Sequence, residues 1–230
     1  MKPLKARAIV LSRVNYGERD RIITVITPNY GKLRLMARGS RVLKSKLAGG
    51  IELFSVNDVC FIRGRSEVAT LTSARLDKNY GDILKDIERV QYGYELLKIL
   101  HHATEDETET DFFNLLQTAL DGLNDLDVPL AVTQLWFLAR LLVVSGHMPD
   151  LERGSNAHKL SEQPAYNFDH ETMAFFASSR GLYSPNDIKF LRLAFRVREP
   201  RILARVNEGG NYSTRLLPLV DAMRLRHLSR

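Results

Sequence analysis

Residues 21–35 read Arg21-Ile22-Ile23-Thr24-Val25-Ile26-Thr27-Pro28-Asn29-Tyr30-Gly31-Lys32-Leu33-Arg34-Leu35. The first seven residues are mostly β-branched, which favours a strand with both faces partly covered. The next four are typical of a turn, because proline and glycine adopt the backbone angles that tight turns need. The chain then alternates basic and apolar residues with a period of two, as a strand with one buried face does. This stretch therefore predicts a β-hairpin.

The second strand of the hairpin opens a run of positive charge. Residues 32–46 contain six basic residues and no acidic one, and Gly39-Ser40 marks the change from strand to loop. A solvated strand face would explain any single cation, but the uncompensated set suits a polyanion, so we predict an anion-binding surface. Its members are Lys32, Arg34, Arg38, Arg41, Lys44 and Lys46.

Three more strand-like runs surround the hairpin. Residues 7–14, 51–62 and 67–75 are rich in apolar and β-branched side chains. Five strands in fewer than 80 residues, with no helix of any length between them, predict a small β-barrel.

A basic groove with exposed aromatic rings on a small barrel is typical of a platform for single-stranded nucleic acid. The candidate stacking residues are Tyr16, Tyr30 and Phe54. Packing inside the protein is the alternative for each of them.

Helical periodicity begins after Gly81. Apolar residues recur at steps of three and four, which predicts one helix ending near His101-His102 and a second after residue 108. A third helix is predicted to open at Asp127 and Pro129 and to close at Gly146. The third is apolar on nearly all sides and should be the central helix of a bundle. Residues 154–166 read as a loop, helix signals resume over residues 169–178, and Ser184-Pro185-Asn186-Asp187 indicates a helix start.

A second basic feature lies in the helix predicted after Ser184. Lys189, Arg192 and Arg196 stand at positions i, i+3 and i+7, so they share a stripe about 60° wide. Apolar residues fill the remaining faces, which predicts a helix buried except along its basic stripe. A solvated edge of a core helix is the alternative.

Charge is distributed unevenly over the 230 residues. The formal net charge is +6, but residues 1–80 hold 16 Lys/Arg against 6 Asp/Glu, residues 81–171 hold 6 against 17, and residues 172–230 hold 11 against 4. Blocks of this kind are unlike solubility tuning, which interspersed charges serve better. The acidic run at residues 105–111 reads as a solvated helix N-terminus rather than a metal site.

The sequence contains none of the common catalytic motifs. It has no phosphate-binding glycine loop, no Gly-x-Ser-x-Gly and no His-Glu-x-x-His. The single cysteine, Cys60, can form neither an intrachain disulfide nor a multi-cysteine zinc site. No signal peptide is evident, and residues 130–144 are too few and too polar to span a bilayer. We expect a cytoplasmic protein that is not an enzyme and needs no metal or other cofactor.

The N-terminal residues resemble those of the RecO family of bacterial recombination mediators. The likeness rests on a Tyr-Gly-Glu-x-Asp turn, a Gly-Lys hairpin and an Ala-(Lys/Arg)-Gly-x-Arg motif, and it continues more loosely over residues 146–151 and 187–193. The matching residues are Ala8-Ile9-Val10-Leu11-Ser12-Arg13, Tyr16-Gly17-Glu18-Arg19-Asp20, Thr24, Thr27, Gly31-Lys32, Ala37-Arg38-Gly39-Ser40-Arg41 and Ser45.

The resemblance implies an α+β protein with an N-terminal OB-fold barrel, residues 1–78, and an all-α helical domain, residues 79–230. It also implies binding of single- and double-stranded DNA, annealing of complementary strands and an association with the nucleoid. The implied partners are RecR and the C-terminal tail of single-stranded DNA-binding protein. With RecR, the family helps to load recombinase on DNA that is coated by single-stranded DNA-binding protein. Arg19 and Arg21 lie in and beside the matched turn. We predict that they bind DNA together with the six basic residues of the run 32–46 and with Lys189, Arg192 and Arg196.

Many members of that family carry a four-cysteine zinc site after a Pro-x-Leu element. In this chain the first two positions of the pattern are occupied by Gly154 and Ala157, and no cysteine follows. We therefore expect the zinc site to be lost.

The function predicted from the sequence is that of a non-catalytic DNA repair and recombination mediator. Two alternatives stay open. One is a protein-interaction adaptor whose barrel docks an acidic protein, and the other is an OB-fold protein that binds single-stranded RNA.

Overall fold

A computed structural model describes residues 2–104, 110–154, 160 and 165–228. The chain forms two compact units, Met1–Leu126 and Asp127–Arg230. The predicted order, a five-stranded barrel followed by a helical region, is confirmed.

The first unit is built on a closed barrel with the strand order β1-β2-β3-β5-β4. All neighbours are antiparallel except β3 and β5, whose parallel pairing of Arg34 with Val68 closes the barrel. The strands are β1 Leu4–Tyr16, β2 Asp20–Thr27, β3 Gly31–Ala37, β4 Ser55–Ile62 and β5 Val68–Asn79.

The predicted hairpin is formed by β2 and β3, with Thr27 opposite Gly31 at its turn. The Thr27 hydroxyl accepts a hydrogen bond from Tyr30 N and donates one to Gly31 O, both of 3.0 Å. Gly31 has a φ of 63°, a conformation that glycine adopts without steric cost. These local contacts set the register that directs one face of β3 inward.

The barrel core follows the period of two in the strands. Leu35 and Ala37 of β3 point inward and are fully buried, whereas Arg34, which precedes Leu35, points outward and is exposed. The long strand β1 pairs with both β4 and β2, and a register shift between Val10 and Ser12 lets it bend from one partner to the other.

Two helices complete the first unit. A 3₁₀ helix, Gly81–Lys85, leads to α1, Ile87–Ala103, whose first turn is capped by Asp86 accepting hydrogen bonds from the Glu88 and Arg89 amides. Helix α2, Thr110–Asn124, packs on α1 and approaches β2. The barrel strands thus end one residue beyond the predicted boundary at residue 78, while the compact unit includes α1 and α2 as well. The domain division at residues 78 and 79 stays a prediction.

The second unit is centred on α3, Leu130–Val144, which contacts α4, Pro185–Arg196, α5, Pro200–Ala204, and α6, Gly209–Leu228. The indole Nε1 of Trp136 donates a hydrogen bond of 3.1 Å to Val197 O. This apolar helix occupies the centre of its unit, as its composition predicts.

A small sheet in the second unit corrects one prediction. Strands β6, Asp150–Gly154, β7, Tyr166–Asp169, and β8, Ala174–Ala177, form a sheet of order β6-β8-β7. The helix predicted over residues 169–178 is therefore wrong. The Asp169 carboxylate accepts hydrogen bonds from Glu171 N and the Thr172 hydroxyl, which stabilises a β7–β8 turn instead of a helix start.

Ala157, the second position of the zinc pattern, lies outside the described residues. Most of the acidic run at residues 105–111 lies outside them too. Among the residues described, no group of three or more His, Cys, Asp or Glu side chains could hold a metal ion. None of the described helices is long and apolar enough to cross a membrane.

Candidate nucleic-acid interface

The two matched N-terminal motifs meet at one end of the barrel. The β1–β2 turn, residues 17–19, contacts the base of the loop that follows β3. Gly39 N donates a hydrogen bond of 2.7 Å to Asp20 Oδ1. Arg41 N donates to Arg19 O over 3.0 Å, and the Arg41 guanidinium donates to Gly17 O over 2.8 Å. The turn therefore holds the loop in place.

We call the cations at this end of the barrel the loop surface. All of them are exposed, and no carboxylate among the described residues pairs with any of them. Cations without a carboxylate partner can neutralise phosphates, and that neutralisation releases the counterions condensed on a nucleic acid. The members of the loop surface are Arg19, Arg38, Arg41, Lys44 and Lys46.

Two other predicted residues lie on β2 and β3. Arg34 is exposed, whereas Arg21 is half-buried and its Nε lies 3.4 Å from Asn15 Oδ1. Arg34 sits opposite Thr24 on β2 and Val68 on β5, so it lies on the outer face of the strand pair that OB-folds use for oligonucleotides.

Lys32 has a different environment from the rest of the basic run. Its Nζ donates a hydrogen bond of 3.1 Å to His101 O and another to Thr104 O. These carbonyls lie at the C-terminal end of α1, where a cation also complements the helix dipole. The structure thus places Lys32 in a helix cap, apart from the loop surface.

Only one of the three candidate stacking residues is exposed. Tyr16 keeps 56% of its surface accessible, whereas Phe54 keeps 4% and packs edge-on against Tyr94. Tyr30 is half-buried and meets Phe61 edge-on at 5.5 Å. Tyr16 stands at the end of β1, next to the turn that carries Arg19. It is the aromatic ring that a base could reach.

The β4–β5 loop contributes two cations that the sequence reasoning passed over. Arg63 and Arg65 are exposed, and the Arg63 guanidinium lies over the Tyr30 ring at 5.5 Å. This loop leads into Val68, the neighbour of Arg34. The sequence could have indicated these two cations, because they flank a glycine in a predicted turn. OB-folds bind oligonucleotides with this loop.

The predicted basic stripe on α4 is partly neutralised. Lys189 is exposed, but Arg196 makes an ion pair of 2.8 Å with Glu152, and Arg192 lies 3.9 Å from the same carboxylate. The Arg192 Nε also donates a hydrogen bond of 2.8 Å to Leu151 O. The stripe therefore faces β6 of its own unit and is less free than its spacing suggests.

A groove of about 300 Å³ lies between this stripe and β6. The Asp150 carboxylate shapes the strand beside it by accepting hydrogen bonds from Arg153 N and Glu152 N. These bonds lower the pKa of Asp150, so the carboxylate stays ionised and keeps the turn. The lining residues are Met148, Pro149, Asp150, Leu151, Glu152, Arg192 and Arg196.

Comparison with protein families finds two matches. The family model described as "Recombination protein O N terminal" matches residues 1–80, and "Recombination protein O C terminal" matches residues 84–206.

Several curated relatives have the printed name "DNA repair protein RecO". The relative from Halalkalibacterium halodurans is 31% identical over 150 residues, which cover 65% of this chain and 58% of the relative. The relative from Dehalococcoides mccartyi strain 195 is 29% identical over 156 residues, or 67% of this chain and 61% of the relative. The relative from Gloeobacter violaceus is 28% identical over 205 residues, or 88% of this chain and 76% of the relative. This chain thus spans about three fifths of the length of the first two relatives.

Proposed function

The chain belongs to the RecO family, and from this premise we propose that it is a DNA repair and recombination mediator that binds single- and double-stranded DNA without sequence preference. The proposal includes annealing of complementary strands. It also includes loading of recombinase, together with RecR, on DNA coated by single-stranded DNA-binding protein.

The observation that carries the proposal is the loop surface. Its five cations are exposed and have no partner among the described carboxylates, and the exposed ring of Tyr16 adjoins the turn that carries one of them, Arg19. Cations bind the phosphate backbone of any sequence, and a tyrosine face stacks on any base. The set supports DNA binding that depends on charge and on single-stranded bases more than on base identity.

Annealing follows from the same electrostatics. Two complementary strands repel each other through their phosphates, and a protein that neutralises several phosphates on each strand lowers that repulsion. Each phosphate contact releases condensed counterions, so the affinity should fall steeply as the salt concentration rises.

The second unit supports a further role in partner binding. Lys189 on α4 is exposed, and the groove beside it combines apolar residues with Arg192 and Arg196. An acidic peptide, such as the tail of single-stranded DNA-binding protein, would compete with Glu152 for these two arginines.

Chemistry on the DNA is not part of this proposal. The mediator acts by binding, so it would need neither a catalytic residue nor a metal or other cofactor, and it would work at the nucleoid where its DNA lies.

The deciding experiment is a strand-annealing assay on two complementary oligonucleotides, with and without single-stranded DNA-binding protein. The proposal expects faster annealing with the protein present, and a log–log plot of affinity against salt with a slope of several units. A slope near zero, or no acceleration, would contradict it. Competition with single-stranded RNA of the same length tests the RNA-binding alternative, and retained partner capture without DNA binding would favour the adaptor.

A further inference from the structure

An apolar tip interrupts the loop surface. Leu43 is fully exposed and Val42 is about half exposed, between the cations Arg41 and Lys44. Single exposed apolar residues are common on protein surfaces and do not by themselves indicate a binding site. This pair differs in its setting, because every other long side chain between Arg38 and Lys46 is basic.

The loop presents this tip in a defined conformation. Val42 N donates a hydrogen bond of 3.3 Å to Gly39 O, and Ser45 N donates one of 2.9 Å to Val42 O. The contact of Arg41 N with Arg19 O ties the base of the loop to the β1–β2 turn. A side chain on such an ordered loop loses little backbone freedom on binding, so burying it is more favourable than burying one on a flexible chain.

The surrounding charge indicates what could cover the tip. From Arg38 to Lys46 the sequence has four cations and no acidic residue, which favours a polyanion over an ordinary protein surface. When cations on both sides of Leu43 contact phosphates, the fully exposed leucine between them is within reach of the bases. Leucine is one of the apolar residues that DNA-binding proteins insert between base steps.

Single-stranded DNA is the substrate that suits this insertion best. Separating stacked bases costs least where no complementary strand holds them. We propose that Leu43, supported by Val42, inserts between adjacent bases of the bound single strand and breaks their stacking. This inference rests on the proposed function, since it needs DNA at the loop surface. It adds a consequence for annealing, because separated bases expose the edges with which a complementary strand pairs.

The test uses the full chain and an adenine oligonucleotide with 2-aminopurine at its centre, a base whose fluorescence rises when its stacking is broken. Wild-type protein should raise the fluorescence, and Leu43→Ala should abolish the rise and weaken the affinity about tenfold. The slope of affinity against salt should not change, because no charge is removed. Leu84→Ala removes an exposed leucine from the 3₁₀ helix Gly81–Lys85 and should behave as wild type.

A second substrate checks that the bases are what Leu43 meets. Replacing the central bases by abasic sites should lower the affinity of the wild type more than that of Leu43→Ala. The reason is that removing the bases and removing the leucine side chain both abolish the same contact. Equal losses of affinity in the two proteins, or a normal fluorescence rise with Leu43→Ala, would overturn the insertion. The proposed function would still stand in that case if the affinity kept its steep dependence on salt. A wild-type protein that does not bind the oligonucleotide would overturn the proposed function itself.

Discussion

The backbone N–H of Gly39 donates a hydrogen bond of 2.7 Å to Oδ1 of Asp20, and this contact joins two sequence motifs that are 19 residues apart. Gly39 has a φ of 64°, so the loop turns away from β3 at the point where Asp20 holds it. The position of the loop surface therefore depends on a carboxylate outside the basic run.

Asp20→Ala should loosen the loop. The lost hydrogen bond is worth about 1 kcal/mol, so we expect DNA affinity to fall about fivefold and trypsin to cleave faster after Arg41 and Lys44. Asp20→Asn retains an oxygen that can accept from Gly39 N and should keep most of the affinity. Cleavage of Asp20→Ala at the wild-type rate would show that the contact does not hold the loop.

Lys32→Ala should lower the stability of the protein and Arg34→Ala its DNA binding, although the two residues share β3. Lys32 caps α1, so its loss should lower the free energy of unfolding by about 1–2 kcal/mol in urea, followed by circular dichroism. Arg34 is exposed without a pair among the described carboxylates, so its loss should reduce the salt slope of DNA binding by about one unit. A large loss of stability in Arg34→Ala would contradict this division.

Glu152→Gln should release Arg192 and Arg196 from their ion pair. If the α4 stripe contributes to DNA binding, the affinity at low salt should rise about two- to threefold, and the gain should disappear at high salt. Glu208→Gln removes an exposed carboxylate of the same unit that has no ion pair with another described residue, and it serves as the control. Equal gains in both variants would indicate net charge rather than the stripe.

His227 should make the second unit less stable in acid. Its partial burial, and then the nearby His147 ring and Arg226, lower the pKa of His227 below the ordinary value. The unfolded chain therefore binds a proton more readily, so this stabilisation is present above about pH 6.5 and is lost as the pH falls below it.

His227→Asn should reduce the loss of stability between pH 7.5 and pH 5.5. The measurement is urea unfolding followed by the fluorescence of Trp136, the single tryptophan of the chain, which is buried in the second unit. His102→Asn changes an imidazole in the first unit and is the control. An unchanged pH dependence in His227→Asn would assign the acid sensitivity to other groups.

Gly50→Ala should destabilise the barrel while Gly49→Ala should not. A Cβ at Gly50 would lie 2.5 Å from the Ala74 backbone on β5, whereas a Cβ at Gly49 would meet nothing within 4 Å. Overpacking against backbone costs about 1–3 kcal/mol, measurable as a lower urea midpoint. Similar midpoints for the two variants would mean that the loop end can move away from β5.

The strands of the barrel and its hairpin were predictable, because the sequence patterns that indicate them are local. The period of two in residues 32–37 and the turn chemistry before it act between residues that are close in the chain, and the structure confirms the hairpin and the barrel. Local rules failed at residues 169–178, where an apolar run that reads as a helix pairs as a strand because β6 and β7 lie beside it.

The candidate site was predictable as a charge pattern but not as a surface. The sequence identifies the cations, yet Tyr16, Tyr30 and Phe54 look alike in it, and only the packing shows that Tyr16 is the exposed ring. Arg63 and Arg65 were overlooked because their importance comes from the neighbouring strand, β3, which is about 30 residues away in the sequence.

By itself, the sequence determined the barrel, the helical region and the separation of charge into basic and acidic blocks. Periodicity and composition carry this information, because each residue's environment depends on neighbours two to four positions away. Only the tertiary structure decided which cations are free. Lys32 is held by carbonyls 69 and 72 residues further along the chain, and Arg196 is paired with Glu152, 44 residues before it. A charge's partner depends on which segments the fold brings together, and that is settled by the packing of the whole unit.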